Sequence, residues 1–188
     1  MRSVGVFCSS SDSISPVFLE EARLLGELLA KNSFRLVYGG ARTGAMGALA
    51  EGALTAGGKV LGIFPQLELG HEKAHEGLTE FINVQTMAER KQILFDKSEA
   101  FLVFPGGLGT LDEIFELITL RLLHEASPNK NLNMHKKSVI FVNTLNFWDP
   151  LFECLEIMIQ QGFISRPLGQ LFQVKEDLKE IVQFLANK

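Results

Sequence analysis

Residues 101–116 read FLVFPGGLGTLDEIFE and contain the clearest signal of the fold class. The apolar run from Phe101 to Phe104 predicts a buried strand. Proline and two glycines at 105–107 end it. The pattern TLDE at 110–113 then matches a capping box, which predicts that a long helix starts there. A fully apolar strand, a glycine-rich turn and a helix are the parts of a parallel βα unit.

The same alternation repeats along the chain. Apolar runs predict further strands at Ser3 to Cys8, Phe34 to Tyr38, Lys59 to Phe64, Phe81 to Val84 and Val139 to Val142. Helical patterns start at Ser15-Pro16, cover Ala45 to Ala56, run from Thr86 to about Lys97 and from Asp149-Pro150 to Gly162, and cover Asp177 to Leu185. The sequence therefore predicts an α/β fold: a Rossmann-like doubly wound parallel sheet with helices on both faces, formed as a single domain by residues 1–188.

Composition and charge narrow the class of protein. The chain has 188 residues, of which 46% are hydrophobic and 21% charged, and its net charge is -4. Such a chain offers no broad basic surface, so we expect no nucleic-acid partner. Without an apolar run of membrane-spanning length or the features of a signal peptide, we expect no membrane partner and a cytoplasmic protein. Cys8 and Cys154 are interpreted as buried thiols in a reducing compartment.

The glycine-rich turn that follows Phe104 is the strongest functional signal. Glycines let the backbone approach a ligand closely and adopt positive φ, and the helix behind them offers free N–H groups with a partial positive charge. Phosphate suits such a turn. The alternative is a tight turn that needs glycine for its geometry alone, but three glycines followed by Thr110 favour phosphate binding.

A second glycine-rich turn, GGARTGAMG, covers residues 39–47. It is not a Walker A loop, because no Lys-Ser or Lys-Thr follows the glycines, and its spacing is not the Gly-x-Gly-x-x-Gly of a dinucleotide fingerprint. Gly39 and Gly40 end one strand and Ser9 and Ser10 follow another, so all four should gather at the carboxyl edge of the sheet. Taken singly, the glycines are also explained by close packing and the serines by a solvated turn.

Charged residues near these turns have two interpretations each. Arg90 and Lys91 lie on the first turns of a helix, where a cation opposes the helix dipole; this placement favours an anionic ligand over a solvated face. Glu113 is either the glutamate of a capping box or a carboxylate beside the phosphate and its sugar, and the sequence leaves these equal. His71 and His75 have no third ligand beside them, so we expect no metal.

Several of these motifs together resemble one known family. Residues 105–113, PGGLGTLDE, resemble the PGGxGTxxE motif of the LOG ("Lonely Guy") family, and residues 87–91, MAERK, resemble its M-x-x-R-K segment. VFCSS at 6–10, VYGG at 37–40 and AHEGLT at 74–79 also fall in family order, so the resemblance covers nearly the whole chain. LOG proteins are cytokinin riboside 5′-monophosphate phosphoribohydrolases, often labelled lysine decarboxylases.

The resemblance implies hydrolysis of the N-glycosidic bond of AMP or N6-modified AMP to free base and ribose 5-phosphate, in hormone activation or nucleotide salvage. By motif position, Arg90 and Glu113 would be catalytic. The substrate would be bound by residues of four of these motifs and by Glu72 and Thr119 outside them. The motif residues are Ser9, Gly39, Gly40, Met87, Lys91, Gly106, Gly107, Leu108, Gly109, Thr110, Leu111 and Asp112. The resemblance implies no cofactor and no metal, and a homodimer with its pockets near the subunit interface.

The residue types suit this chemistry. Breaking a ribosyl–purine bond develops oxocarbenium character on the sugar, which a carboxylate such as Glu113 can stabilise while it orients water. Arginine does not readily give up a proton, so the role expected of Arg90 is electrostatic.

The sequence departs from the family pattern in three places, and the last of them, which follows the helix lining the base pocket, leaves base preference and dimer packing open. They are ART at 41–43, Asp112 where the family often has glutamate, and a longer connection at 125–137, interpreted as a flexible surface loop. One alternative is a non-catalytic nucleotide or molybdenum-cofactor carrier of the same fold; the presence of both Arg90 and Glu113 favours the enzyme. A pyridoxal-phosphate lysine decarboxylase is the other, and no convincing motif supports it.

Overall fold

A parallel sheet organises the chain, whose computed structural model describes residues 2–66, 73–126 and 137–188. Its strands are β1 (Ser3–Phe7), β2 (Arg35–Tyr38), β3 (Val60–Pro65), β4 (Glu80–Val84), β5 (Ala100–Val103), β6 (Ser138–Val142) and β7 (Gln173–Lys175). The helices are α1 (Pro16–Lys31), α2 (Gly44–Thr55), α3 (Met87–Lys97), α4 (Leu108–Ala126), α5 (Asp149–Gln160), α6 (Leu168–Leu171) and α7 (Leu178–Ala186), with a 3₁₀ turn at Thr144–Asn146.

The strand order is β4-β3-β2-β1-β5-β6-β7, and every neighbouring pair is parallel. From β1 the chain winds outward to β4, returns to β5 on the other side of β1, and continues to β7. The order thus reverses between β1 and β5. Val6 pairs with Tyr38 and Phe7 pairs with Val103, so β2, β1 and β5 end nearly level. The predicted doubly wound parallel sheet is confirmed.

Both faces of the sheet are covered by helices, which explains why its central strands are apolar throughout. Along β1, Val4 and Val6 face a core that includes residues of α1, α2 and α7. Phe7 faces the opposite core, which includes residues of α3, α4 and α5, and its ring stacks on that of Phe101 with centroids 5.5 Å apart. Because α3 and α4 lie on the same face, their first turns meet at one edge of the sheet.

Local capping accounts for the start of α3. The Thr86 hydroxyl accepts a hydrogen bond from the N–H of Glu89 at 3.1 Å, and the Glu89 carboxylate accepts one from the N–H of Gln85 at 2.8 Å. This is close to the reciprocal pattern of a capping box, with the glutamate bonded one residue before the cap. The predicted helix start at Thr86 is confirmed, and it fixes where Arg90 lies.

Some predictions about the second half of the chain are wrong. Cys154 is exposed on α5, because it lies on the outward side of that helix, whereas Cys8 is buried as expected. The predicted surface loop starts too early, since α4 continues to Ala126; residues 127–136 lie outside the described residues, as do His71 and Glu72. The 3₁₀ turn, α6 and the edge strand β7 were not predicted.

Candidate active site

A cavity of about 490 Å³ opens beyond the carboxyl ends of β1 and β5. This is the point where the strand order reverses, and open α/β sheets bind ligands there because neighbouring loops diverge. The wall of the cavity comes from the β1 loop, α2, α3 and the first turns of α4: Cys8, Ser9, Ser10, Met46, Met87, Arg90, Gly107, Gly109, Thr110 and Glu113.

A larger depression of about 850 Å³ lies between α5 and β7. Its acidic residues, Asp149, Glu153 and Glu156, are exposed, and its one lysine, Lys175, is only partly buried. The cavity at the switch point contains a buried cation and a buried carboxylate, and it is therefore the candidate site.

The N-terminus of α4 forms one side of this cavity. The helix begins at Leu108, and the N–H of Leu111 donates to the carbonyl of Gly107 at 3.1 Å. By helix geometry, the N–H groups of Leu108, Gly109 and Thr110 have no carbonyl one turn earlier, and the helix dipole adds partial positive charge at this end. An anion such as phosphate can be bound here.

The glycines of this turn have different purposes. A Cβ on Gly106 would lie 2.1 Å from Thr110 Oγ1, so this glycine lets the turn pack closely on the helix. A Cβ on Gly107 or Gly109 would meet no atom within 4 Å. Both line the cavity, so their missing side chains leave the backbone accessible to a ligand.

Positive φ does not occur at these three glycines, contrary to the expectation from the sequence. In the described residues near the site it occurs at Gly40 and Gly44, with φ of 82° and 60°. The left-handed backbone is needed in the β2–α2 turn, where the chain reverses sharply.

Thr110 is not the N-cap of α4. The helix begins two residues earlier, so Thr110 lies within its first turn, where it is 2% exposed. The Thr-x-x-Glu sequence fits a capping box, but the residue before the helix is Gly107 and not Thr110. Glu113 has its ion-pair partner on another helix. The sequence leaves two interpretations of Glu113 equal. The start of α4 at Leu108 argues against the capping box, and the functional role of Glu113 stays a prediction.

That partner is Arg90, and the two side chains form a buried ion pair between α3 and α4. Arg90 Nη1 donates to Glu113 Oε1 at 3.1 Å, and Arg90 Nε donates to the carbonyl of Ile63 at 3.1 Å. The side chains of Arg90 and Glu113 are 9% and 4% exposed. Because desolvation offsets most of the attraction in such a pair, it adds little to stability. What it does is fix a cation and a carboxylate on the cavity wall.

Gly39, the first residue after β2, makes room for this arginine. A Cβ at Gly39 would lie 1.8 Å from Arg90 Nη2 and 3.0 Å from Arg90 Cζ. Gly39 therefore supports the cation from behind and is not part of the cavity wall. The next carbonyl, that of Gly40, accepts a hydrogen bond from the N–H of His75 at 2.9 Å, which attaches the segment before β4 to this turn.

Cys8 is a buried thiol on the cavity wall. Burial raises its pKa far above the ordinary thiol value, the nearby Glu113 raises the pKa further, and Arg90 lowers it in part. The pKa of Tyr38 is raised chiefly by burial, and its hydroxyl donates to the carbonyl of Ala41 at 3.2 Å. Both groups are therefore neutral at physiological pH, and Cys8 is a poor nucleophile.

Lys91 belongs to a second ion cluster, on the more exposed side of the same two helices. Its Nζ donates to Asp112 Oδ2 at 2.9 Å and Oδ1 at 3.1 Å, and it also contacts Glu116 Oε2. Burial alone would lower the pKa of Lys91, but the hydrogen bonds that its ammonium group donates to Glu116 and Asp112 outweigh burial, and the pKa is raised from its ordinary value. Lys91 is not among the residues that line the cavity.

The structure places the residues expected at the site in several different positions. On the cavity wall are Ser9, Met87, Arg90, Gly107, Gly109, Thr110 and Glu113. Gly39, Gly40 and Gly106 lie behind that wall, and Leu108 is 86% exposed at the first residue of α4. A shallow depression on the outer side of α4 is bordered by Leu111, Asp112, Phe115, Glu116, Thr119 and Leu120. Glu72 lies outside the described residues.

Sequence reasoning missed Cys8 and Met46 as wall residues, since it assigned the first to the core and the second to a helix. The N–H of Met46 donates to the carbonyl of Ser9 at 3.0 Å, so α2 is attached to the β1 loop. The position of Cys8 in the sequence could have indicated its place on the wall, since it is the last apolar residue before the polar turn after β1.

Two negative findings concern the described residues alone. They contain no group of three or more His, Cys, Asp or Glu side chains arranged to hold a metal ion. None of their helices has both the length and the apolar character needed to span a membrane.

Comparison with known proteins connects this geometry to a family. Residues 46–185 match the model of a family described as possible lysine decarboxylase. The cytokinin riboside 5′-monophosphate phosphoribohydrolase of Rhodococcoides fascians is 36% identical over 187 residues, which cover 99% of this chain and 90% of that relative. The protein of the same description from Arabidopsis thaliana is 30% identical over 186 residues, covering 99% and 83%.

Among solved structures, the molybdenum cofactor carrier protein of Chlamydomonas reinhardtii is similar to this chain with a TM-score of 0.68. The match covers 99% of this chain and 96% of that protein at 22% identity. At this identity the likeness concerns the fold alone.

Proposed function

The chain belongs to the LOG family, and we propose that it hydrolyses the N-glycosidic bond of AMP or N6-modified AMP. The family model carries the description possible lysine decarboxylase. The products are the free base and ribose 5-phosphate. The observation that carries this proposal is the buried Arg90–Glu113 pair on the wall of a cavity bounded by the N-terminus of α4.

The α4 terminus supports an orientation for the nucleotide. Its unpartnered N–H groups are donors for a 5′-phosphate, and the bare backbone at Gly107 and Gly109 permits close approach. Glu113 follows Thr110 by three residues, so the two lie on the same side of the helix one turn apart. A phosphate at the helix end therefore places the ribose against the Glu113 carboxylate.

The bond changes balance without a cofactor. The C1′–N9 bond breaks, its electron pair leaves with the purine, and the oxygen of a water molecule bonds to C1′. The Glu113 carboxylate stabilises positive charge on the ribose and orients that water, whose proton is finally taken up by the departing base. Arg90 stays protonated, holds Glu113 in place, and supplies a hydrogen-bond donor to the purine. The apolar side chains of Met46 and Met87 are where we place the base.

The alternatives need different features. A carrier of a nucleotide or of molybdenum cofactor needs the anion site but not a buried carboxylate beside the sugar, so the Arg90–Glu113 pair favours the hydrolase. Decarboxylation through pyridoxal phosphate needs a lysine amine free to form a Schiff base. Lys91, next to the cavity, is held by two carboxylates and has a raised pKa, which makes its amine a poor nucleophile.

We also propose a homodimer that acts in the cytoplasm. The outer face of α4 presents Leu111, Phe115 and Leu120 around a depression of about 410 Å³, a surface suited to a second copy. A cytoplasmic location fits a nucleotide substrate and an exposed thiol at Cys154. Light scattering after size-exclusion chromatography measures the assembly; a monomer at micromolar concentration contradicts the dimer.

The activity is tested by the release of free base and ribose 5-phosphate from AMP, N6-isopentenyl-AMP and adenosine, measured side by side. We expect turnover of at least one phosphorylated substrate and none of adenosine, which lacks the group that α4 holds. Glu113→Gln should lose turnover by roughly 100-fold or more while it still binds AMP in calorimetry.

Arg90→Ala should lose activity as well. The control is Glu51→Gln, an exposed glutamate of α2. Full activity of Glu113→Gln would remove this carboxylate from the reaction, and AMP binding without turnover by the wild type would favour the carrier.

A further inference from the structure

The two helices that carry the candidate catalytic pair are joined by a second ion pair, formed by the residue after Arg90 and the residue before Glu113. Arg90 of α3 contacts Glu113 of α4, and Lys91 of α3 contacts Asp112 of α4. The inner pair is buried, whereas Asp112 is 57% exposed. The outer pair thus spans the same gap between α3 and α4 from the solvent side.

Lys91 is committed to this outer contact. Its ammonium group meets two carboxylates, because Asp112 and Glu116 are four residues apart and so lie on one side of α4. The lysine side chain itself is only 12% exposed, so the contact is formed by a side chain with little freedom. The two carboxylates occupy donors of this ammonium group, so moving it into the cavity would break both contacts.

Surface ion pairs stabilise a protein by little, commonly less than about 1 kcal/mol. The main effect of this cluster is therefore on the spacing of α3 and α4 rather than on stability. Arg90 and Glu113 are adjacent in sequence to Lys91 and Asp112, so any change in the spacing of α3 and α4 at the outer pair changes the Nη1–Oε1 contact of the inner one.

We propose that Lys91 is a positioning residue: it holds α3 and α4 at the spacing that Arg90 and Glu113 require, and does not bind the substrate phosphate. The inference rests on the proposed hydrolase function. Asp112 and Glu116 share this role, because they are the partners of Lys91 on α4. A displacement on the order of 1 Å in a catalytic group can cost about 100-fold in rate, so a modest change in helix spacing is enough to matter.

The experiment measures kcat and KM for AMP or N6-isopentenyl-AMP in three variants. Lys91→Gln removes the cation, and D112N/E116Q removes both anions and leaves the lysine free. K91E/D112K/E116Q exchanges the charges across the gap and also removes the second anion, which would repel a carboxylate at position 91. Arg23→Gln is the control, because Arg23 forms an interhelical pair with Glu51 at 2.7 Å between α1 and α2, away from the cavity. Thermal unfolding of each variant shows that it is folded.

We expect Lys91→Gln and D112N/E116Q each to lower kcat by roughly 10-fold or more with KM within about twofold. The charge exchange should restore kcat to within about threefold of the wild type, and Arg23→Gln should leave both constants unchanged. A raised KM with unchanged kcat in Lys91→Gln would overturn the inference, since it identifies a substrate ligand. So would a lower KM in D112N/E116Q, unchanged kcat throughout, or a charge exchange without rescue. A wild type that hydrolyses neither nucleotide refutes the proposed function itself, which separates the two failures.

Discussion

A Gly39→Ala substitution adds one methyl group directly behind the guanidinium group of Arg90. The backbone at Gly39 is not in the left-handed region, so alanine causes no backbone strain there. The new Cβ would lie 1.8 Å from Arg90 Nη2, and 3.0 Å from both Arg90 Cζ and Met46 Cε. Since an ordinary contact between such atoms is about 3.5 Å, the guanidinium group must retreat by well over 1 Å.

The size of the effect follows from what holds Arg90. Its two hydrogen bonds, to the Ile63 carbonyl and to Glu113, are both 3.1 Å long and cannot both survive such a retreat. A misplacement on the order of 1 Å can cost about 100-fold in rate, and each tenfold corresponds to about 1.4 kcal/mol of barrier. We therefore expect kcat to fall by roughly 100-fold. Loss of one partner from a buried ion pair costs about 3–5 kcal/mol, which is the upper limit for the loss of stability.

The assay is base release from the better of the two nucleotide substrates, with urea unfolding measured on the same preparations. Gly169→Ala in α6 is the matched control, because a Cβ there would meet no atom within 4 Å and lies far from the cavity. The control should match the wild type in kcat and in stability. If Gly39→Ala kept kcat within about twofold of the wild type, the position of Arg90 would not matter for the reaction, and the assignment of Gly39 as its support would be refuted.

Three further outcomes follow from the same structure. Gly107→Ala should fold normally, because its Cβ meets nothing within 4 Å, but should weaken AMP binding in calorimetry by roughly 10-fold since the methyl group enters the cavity; undiminished binding would place the phosphate elsewhere. Iodoacetamide at pH 8 should label the exposed Cys154 in the native protein and spare the buried Cys8, whose pKa is raised by burial, with both labelled after denaturation; mass spectrometry that finds native Cys8 labelled would show an open thiol. Because the pKa of Lys91 is raised in the folded state, its contribution to stability is fully present below the ordinary lysine pKa and is lost as pH rises through the higher folded value. The difference in unfolding free energy between the wild type and Lys91→Gln should therefore stay constant from pH 7 to about 10 and shrink above that, and a difference that grew with pH would contradict this.

The doubly wound parallel sheet and the edge where the glycine-rich turns meet could be predicted because they depend on local patterns. Apolar runs marked the central strands, since those are buried on both faces, and parallel strands put all their carboxyl ends on one edge. That argument alone brought the turns at 9–10, 39–40 and 105–107 together. The β7 strand could not be found this way, because the three residues of Gln173–Lys175 contain no apolar run and pair at an edge.

The details of the site depend on long-range contacts that no local pattern contains. The Thr-x-x-Glu pattern predicted the helix correctly but placed its start two residues too late. The ion-pair partner of Glu113 is Arg90, which lies on another helix. Gly39 was expected to touch substrate, but its role depends on a guanidinium group that reaches it from α3. Lys91 follows Arg90 directly in the sequence, yet the two side chains have different partners on α4.

In the proposed reaction, the N-terminus of α4 holds a 5′-phosphate and so places the ribose against Glu113. A crystal structure of Glu113→Gln with AMP would show this placement, because the variant is expected to retain the nucleotide. We expect phosphate oxygens within about 3.2 Å of the amide nitrogens of Gly109 and Thr110, with the ribose between Arg90 and position 113. Nucleotide bound with its phosphate away from residues 107–110 would contradict it.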